Sequence, residues 1–163
     1  MNAFTIDLEE WFHLLECEVT PRQQDWPELE SRVSEATEGL LNILELADVR
    51  CTFFVLGWVA EHHPELVRQL HAAGHEIASH GYSHELVSKL SLTEFRSDLI
   101  RSREAIHSAC GKWPQGYRAP GFSITSSMKD ALQTIKDVGF TYDSSLLAAR
   151  HSHGGGALPT PQP

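Results

Sequence analysis

Five short runs of strand length alternate along the chain with longer stretches in which apolar residues recur at helical spacing. The five runs cover residues 3–8, 51–56, 75–79, 116–121 and 140–143, and the fourth runs into a proline. The second run, CTFFVL, is continuously apolar, which is typical of a strand buried on both faces of a sheet. The pattern therefore predicts five strands, of which at least one is central.

The stretches between these runs predict four helices. Apolar residues recur at helical spacing over residues 31–46, and Pro64 suits the first turn of a second helix that Gly74 ends. Residues 91–94, Ser-Leu-Thr-Glu, form a capping box for a third helix that ends at Gly111, and residues 126–138 form the fourth. Strands that alternate with helices indicate an α/β fold with a parallel sheet and right-handed crossovers.

Polar residues collect where the predicted strands end. These are Asp7, Glu9 and Glu10 at the C-terminal end of the first strand, His80 and His84 at the end of the third, Arg118 on the fourth and Asp143 on the fifth. Each feature alone has an ordinary interpretation, because acids solubilise strand ends and a lone arginine is usually a surface charge or an ion pair. Their coincidence at one edge of a parallel sheet instead predicts an active face.

His80 and His84 form the candidate metal-binding pair. Four residues separate them, so both imidazoles would lie on one face if the chain turned helically after the strand, and Gly81 would permit the bend. His71 and His75 have the same spacing, but Gly74 breaks the helix between them, so that pair is interpreted as incidental.

Composition narrows the possible functions. The chain has 163 residues, enough for one domain, and its net charge of −9 argues against nucleic acid or an anionic membrane as the main partner. Its three cysteines lack paired spacing and are expected to be reduced. No signal peptide or membrane-spanning run is recognised, which predicts a cytoplasmic protein. We expect a domain over residues 1–147 and a disordered Gly/Pro-rich tail over residues 148–163.

Taken in order, the segments FTIDLEEWF, TFFVLGWVAE, GHEIASHGYSHELV, GYRAPGFSIT and YDSSL resemble the polysaccharide deacetylases. This is carbohydrate esterase family 4, with the NodB-homology domain, and the exopolysaccharide-associated branch is the most similar. The resemblance implies a distorted (β/α) barrel, here an incomplete N-terminal portion of about five strands and four helices. It implies a metal-dependent N-deacetylase of an N-acetylated polysaccharide, with zinc as the cation and cobalt or nickel as alternatives.

The resemblance also implies roles for individual residues. Asp7 corresponds to the catalytic base and Arg118 to the arginine that orients it. The metal ligands correspond to His80, His84 and Glu9, with Glu10 as the alternate acid. Substrate contacts are expected from Tyr117, Pro120 and Trp11, and the aromatic segment that begins at Trp11 favours a sugar.

Two departures from the family pattern leave alternatives open. Leu8 separates the two acids of the first motif. The leucine–histidine motif that supplies the general acid has no counterpart, so the acid would come from the tail histidines His151 and His153, which are weak substitutes, or from a partner chain. Five strands also leave two sheet edges exposed, which predicts self-association and weak activity in this chain. The alternatives are a remnant that binds metal or sugar without turnover and a relative that hydrolyses a small ureido or amide compound.

Overall fold

The computed structural model describes residues 3–15, 17, 19–149 and 152–155 and contains one parallel sheet. Its five strands lie in chain order: β1 (Thr5–Leu8), β2 (Thr52–Val55), β3 (Glu76–Ser79), β4 (Gly116–Tyr117) and β5 (Tyr142–Asp143). All four neighbouring pairs are parallel, and Asp7 pairs with Phe54, which pairs with Ala78. The α/β fold and its parallel sheet are confirmed.

Five α-helices and three 3-10 helices connect these strands in the described part of the chain. The α-helices are α1 (Val33–Leu46), α2 (Gly57–His62), α3 (Pro64–Ala72), α4 (Leu92–Cys110) and α5 (Lys129–Val138), and the 3-10 helices cover Gln23–Glu28, Val87–Lys89 and Pro120–Phe122. The prediction of four helices missed α2. The fourth predicted helix begins at Lys129 rather than at residue 126, because residues 125–128 form a turn in which the Met128 N–H donates to the Thr125 carbonyl.

Gly57 begins α2 and is needed there for close packing. A Cβ atom at this position would lie 2.7 Å from the Ser102 Cα of α4 and 2.8 Å from a ring carbon of Tyr82, so a larger residue would push the helices apart. The Gly57 N–H also donates to the carbonyl of Gly81 at 2.7 Å. This contact ties the start of α2 to the loop that follows β3.

The capping box of α4 is present as expected. The Ser91 hydroxyl accepts from the Glu94 N–H, and the Glu94 carboxylate accepts from the Ser91 N–H. Gly111 ends the helix in a left-handed conformation, with φ of 73°. The long helix α4 is therefore fixed at both ends, and it packs against α2, α3, α5 and β3.

Two apolar clusters fill the interior of the described residues. One surrounds β1, β2 and the first three helices and contains Phe53, Val55 and Leu56, which confirms the burial of the CTFFVL run. The other lies between α4, α5 and β4 and contains Phe95, Leu99 and Ile135, among others. No described helix is long and apolar enough to cross a lipid bilayer.

The sheet is open in the described part of the chain. β1 and β5 each pair on one side only, so the strands form part of a barrel rather than a closed one. Of the predicted disordered tail, residues 150, 151 and 156–163 lie outside the described residues. Residues 152–155 lie against the 3-10 helix Pro120–Phe122, because a Cβ atom at Gly154 would lie 2.5 Å from the Phe122 carbonyl oxygen.

Candidate metal centre and catalytic carboxylate

Three metal-ligating side chains meet at the carboxyl edge of the sheet. One ligand atom each from Glu9, His80 and His84 lies within 4.8 Å of the other two. Glu9 follows β1 and the histidines follow β3, and β2 lies between these two strands. The parallel topology thus brings together residues that are more than 70 positions apart in the chain.

His80 has a defined tautomer. Its Nδ1 lies 2.9 Å from the carbonyl oxygen of Arg118, which can only accept, so Nδ1 carries the proton and Nε2 presents its lone pair. Burial lowers the pKa of His80, which favours the neutral ring. A histidine held this way by a carbonyl is the usual arrangement around a bound metal ion.

His84 reaches the same point by a route that the sequence did not predict. The chain after β3 does not turn helically: Gly81 has φ of 77° and His84 itself has φ of 55°, and the next helix is the 3-10 helix Val87–Lys89. The expectation of a helical turn is therefore wrong, whereas the sharp bend at Gly81 is present. The two imidazole rings still lie 5.3 Å apart between centroids.

The contact between His84 and Glu9 is short but is not a hydrogen bond. His84 Nε2 and Glu9 Oε2 are 2.7 Å apart. Nevertheless, Glu9 Oε2 is buried without a hydrogen-bond partner among the described residues. Two electron-pair donors that converge in this way fit the ligands of one cation. With the Nε2 atom of His80 they form the mixed nitrogen and oxygen donor set that zinc accepts.

Glu10, the alternate ligand, points elsewhere. Its carboxylate is buried and accepts hydrogen bonds from the Ser31 hydroxyl and from the N–H groups of Arg32 (3.1 Å) and Val33 (3.3 Å). Glu10 therefore caps the N-terminus of α1, where no local side chain does so. Of the two acids only Glu9 joins the histidines.

Asp7 lies beside the three ligands without joining them. Its Oδ1 accepts a 2.7 Å hydrogen bond from Arg118 Nη1, while its Oδ2 lies 4.0 Å from His80 Nε2. The other end of the guanidinium is fixed as well, since Nη2 donates to the hydroxyls of Thr5 (3.1 Å) and Ser144 (2.9 Å). The structure thus gives Asp7 one oxygen bound to an arginine and a second oxygen that faces the histidines.

Comparison with known proteins identifies the family. Residues 25–142 match the family model described as polysaccharide deacetylase. The chain belongs to the polysaccharide deacetylase family. The matched region contains His80, His84 and Arg118 but begins after Asp7 and Glu9, so the case for these two acids rests on the geometry of the site.

Relatives with assigned activities support this membership. The chain is 34% identical over 103 residues to a peptidoglycan-N-acetylglucosamine deacetylase of Bacillus cereus, a match that covers 63% of this chain and 36% of that protein. It is 38% identical over 101 residues to a chitin deacetylase of Colletotrichum lindemuthianum, covering 59% of this chain and 41% of the relative. The chain thus spans less than half the length of these deacetylases.

Solved structures agree with the fold. A structure from Mycobacterium smegmatis superposes with a TM-score of 0.72 and 34% identity, covering 91% of this chain and 52% of that one. A family 4 carbohydrate esterase from Streptomyces lividans, in complex with acetate, gives a TM-score of 0.62 and 30% identity, covering 67% and 55%. The expected deacetylase type of (β/α) barrel, incomplete in the described residues, is confirmed.

The expected substrate-contact residues of this deacetylase-family chain differ in exposure. Tyr117 is 1% exposed and packs between Phe95 and Phe140, and Pro120 is also buried. Strand β4 directs the Tyr117 side chain into the second apolar cluster, and substrate contact by Tyr117 and Pro120 stays a prediction. Trp11 is 48% exposed, and its Nε1–H donates to the Glu30 carbonyl, so about half of this residue is accessible for contact.

His13 is a residue next to the site that the sequence did not single out. It is 3% exposed, its ring packs edge-on or tilted against Phe12, Trp26 and Trp58, and its Nδ1 accepts the Glu10 N–H at 3.0 Å. Burial lowers its pKa to about 3. A cavity of about 420 Å³, lined by His13, Trp26 and His84 among others, opens beside the ligands. His13 lies three residues after Glu10, in the segment EEWFH, and this proximity to the acids was the sequence signal that could have identified it.

Proposed function

We propose that this chain carries the catalytic centre of a metal-dependent hydrolase that removes N-acetyl groups from an N-acetylated polysaccharide. The observation that carries the proposal is the convergence of Glu9, His80 and His84 next to an Asp7–Arg118 pair. Relatives named as chitin and peptidoglycan deacetylases make polymers of N-acetylated sugars the favoured substrate class.

A divalent cation would be held by the Nε2 atoms of both histidines and by the Glu9 carboxylate. When bound, zinc polarises a carbonyl oxygen and lowers the pKa of a coordinated water towards about 7. Cobalt and nickel accept the same donors. The Arg118 carbonyl fixes the donating nitrogen of His80, so that ligand would need no rearrangement.

Asp7 is assigned the role of general base. As a water oxygen bonds to the acetamide carbon, Asp7 takes the proton on Oδ2, the oxygen that faces the ligands. Arg118 holds the other oxygen and keeps the carboxylate in this orientation. The carbon–nitrogen bond then breaks, acetate leaves, and the sugar nitrogen gains a proton to become a free amine.

The proton for the leaving nitrogen has two candidate sources in the chain. His151 lies outside the described residues. His153 lies against Gly121, because a Cβ atom at that glycine would be 3.2 Å from His153 Cδ2, and Gly121 belongs to the segment that follows Arg118. The tail histidines therefore stay candidates for the general acid, as weak substitutes for the family's histidine, and a general acid supplied from elsewhere is the alternative.

Zinc titration by calorimetry and acetate release from N-acetylglucosamine oligomers test the proposal. We expect one zinc site that His80→Ala or His84→Ala removes, together with acetate release that depends on zinc. His71→Ala is the matched control, because His71 lies on α3 outside the candidate centre. Zinc binding without acetate release would favour a remnant that binds metal or sugar without turnover. Turnover of small ureido or amide compounds alone would favour a relative that hydrolyses such compounds. Unchanged zinc binding in both variants would contradict the proposed centre.

A further inference from the structure

The loop between the two histidines is held by one carboxylate from α4. Asp98 Oδ2 accepts the N–H of Tyr82 at 2.8 Å. Asp98 Oδ1 accepts both the N–H of Ser83 at 2.9 Å and its hydroxyl at 2.6 Å. Asp98 thus makes three hydrogen bonds to the residues that lie between His80 and His84.

This loop has no secondary structure of its own to fix it. Residues 80–86 are neither helix nor strand, and no backbone carbonyl accepts the Tyr82 or Ser83 N–H among the described residues. Two successive N–H groups that converge on one anion form a concave site in which a carboxylate binds well. The start of α2 holds two carbonyls of the loop, because the N–H groups of Gly57 and Trp58 donate to Gly81 and Tyr82. The N–H groups of the loop instead depend on a side chain that lies 15 positions after Ser83.

Gly81 fits the carboxylate in two ways. Its φ of 77° is a conformation that glycine adopts readily. A Cβ atom at this position would lie 2.9 Å from Asp98 Oδ2, which is too close. The residue after the first histidine is thus small where Asp98 approaches.

The helix that carries Asp98 is also attached to the strand before the loop. The hydroxyls of Ser102 and Ser79 are 2.6 Å apart, so α4 contacts the last residue of β3 four positions after Asp98. His80 follows Ser79 directly, and His84 follows Ser83. One rigid helix therefore fixes the chain next to both imidazoles.

We propose that Asp98 is a positioning residue that sets the separation of the His80 and His84 nitrogens and thereby the affinity of the centre for its cation. This inference rests on the proposed metal-dependent function. Asp98 is not one of the three candidate ligands; it acts through the backbone of Tyr82 and Ser83. Residues that orient metal ligands typically change metal affinity ~10–100-fold when removed.

Zinc affinity, measured by competition with a chromophoric chelator, tests the role of Asp98. We expect Asp98→Ala to weaken zinc binding ~10–100-fold and Ser83→Ala to weaken it less, because Ser83→Ala removes one bond of three. Asp98→Asn should fall between wild type and Asp98→Ala, since an amide keeps only one acceptor oxygen. Glu104→Ala is the matched control: it removes the same charge from the exposed side of α4 and should bind zinc as wild type does.

Amide hydrogen exchange in the metal-free protein separates positioning from a general loss of stability. Asp98→Ala should lose protection at Tyr82 and Ser83 while the amides of β3 keep theirs. If Asp98→Ala does not fold, the Asp98→Asn and Ser83→Ala variants decide. Wild-type zinc affinity in the folded variants would overturn the role of Asp98 but not the proposed metal centre. A wild-type chain that binds no cation would overturn the metal centre and, with it, this role.

Discussion

At the scale of single residues, two adjacent acids have opposite uses. Glu9 points to the histidines, and Glu10 points to the start of α1. Asp7, two positions earlier, is held by Arg118. The end of β1 and the two residues that follow it thus carry a proposed base, a proposed ligand and a helix cap within four residues.

Replacing Asp7 by asparagine should separate catalysis from metal binding. Asp7→Asn keeps the shape of the side chain but cannot accept the proton from water, so acetate release should fall ~10²–10⁴-fold. Zinc titration should still show one site, because Asp7 lies beside the ligands rather than among them. Asp48→Asn, in an exposed turn with φ of 51°, is the control and should release acetate at the same rate as the unsubstituted chain. Wild-type acetate release by Asp7→Asn would show that the base is another group.

His13 should make stability depend on pH. Its pKa is lowered by burial from 6.5 to about 3, so between these values the unfolded chain binds a proton that the folded chain does not. The free energy of unfolding should therefore fall as the pH falls from 6.5 towards 3, by about 1.4 kcal/mol per pH unit from this group. Above pH 7 the contribution is complete and constant.

Urea denaturation of the chelator-treated protein at several pH values measures this effect. His13→Gln keeps an acceptor for the Glu10 N–H but does not titrate, so its stability should decline less steeply below pH 6.5. Above pH 7 the difference in free energy of unfolding between the two proteins should stay constant, which serves as the internal control. Equal slopes below pH 6.5 would contradict a buried neutral His13.

At the scale of elements, helices are fixed by residues distant in the chain. Helix α1 has no side-chain cap from Arg32, its own N-cap residue, and uses Glu10 instead. Helix α4 has a local capping box, and its side chains in turn hold the loop after β3. The long loop between β1 and α1 begins near Glu10 and ends at the N-terminus that Glu10 caps. The Glu10 carboxylate therefore joins the two ends of this loop.

Alanine substitutions at Glu9 and Glu10 should have different effects. Glu10→Ala removes the acceptor from buried N–H groups at the start of α1 and should lower the free energy of unfolding by about 2–3 kcal/mol, while a zinc site remains. Glu9→Ala should change stability less and should weaken zinc binding strongly. Urea denaturation and calorimetry on the same two proteins measure both quantities. Loss of the zinc site in Glu10→Ala with Glu9→Ala unaffected would reverse the assignment of the two acids.

At the scale of the whole molecule, the open sheet is the main feature. Both edge strands pair on one side only in the described residues, and large apolar side chains lie beside them, since Phe4 is 52% exposed next to β1 and Tyr142 is 38% exposed on β5. Unpaired strand edges with apolar neighbours promote association between chains.

The apparent mass in size-exclusion chromatography should therefore rise with protein concentration. Phe4→Glu places a charge beside the β1 edge and should shift the distribution towards the monomer. Leu46→Glu is the control, because Leu46 is 90% exposed but is the last residue of α1 and does not adjoin an edge strand in the chain. Its substitution should leave the distribution unchanged. A chain that stays monomeric at all concentrations would contradict association through the sheet edges.

The sequence by itself determined the parts of this protein that depend on local pattern. The short strand-length runs predicted the five strands, and their alternation with helices predicted the parallel arrangement. The capping box predicted the start of α4. Such signals act within a few residues of the chain. The placement of His80, His84 and the acids after β1 at one edge also followed, since the carboxyl ends of parallel strands share an edge.

Only the tertiary structure decided how these residues are held. The left-handed His84, the burial of Tyr117 and the turn of Glu10 towards α1 depend on partners far away in the chain. Asp98 is the clearest case, because a carboxylate in the middle of a helix carries no local sign that it binds a loop 15 and 16 positions earlier. Periodicity encodes which face of an element is buried, whereas a hydrogen bond between distant segments exists only once packing has brought them together.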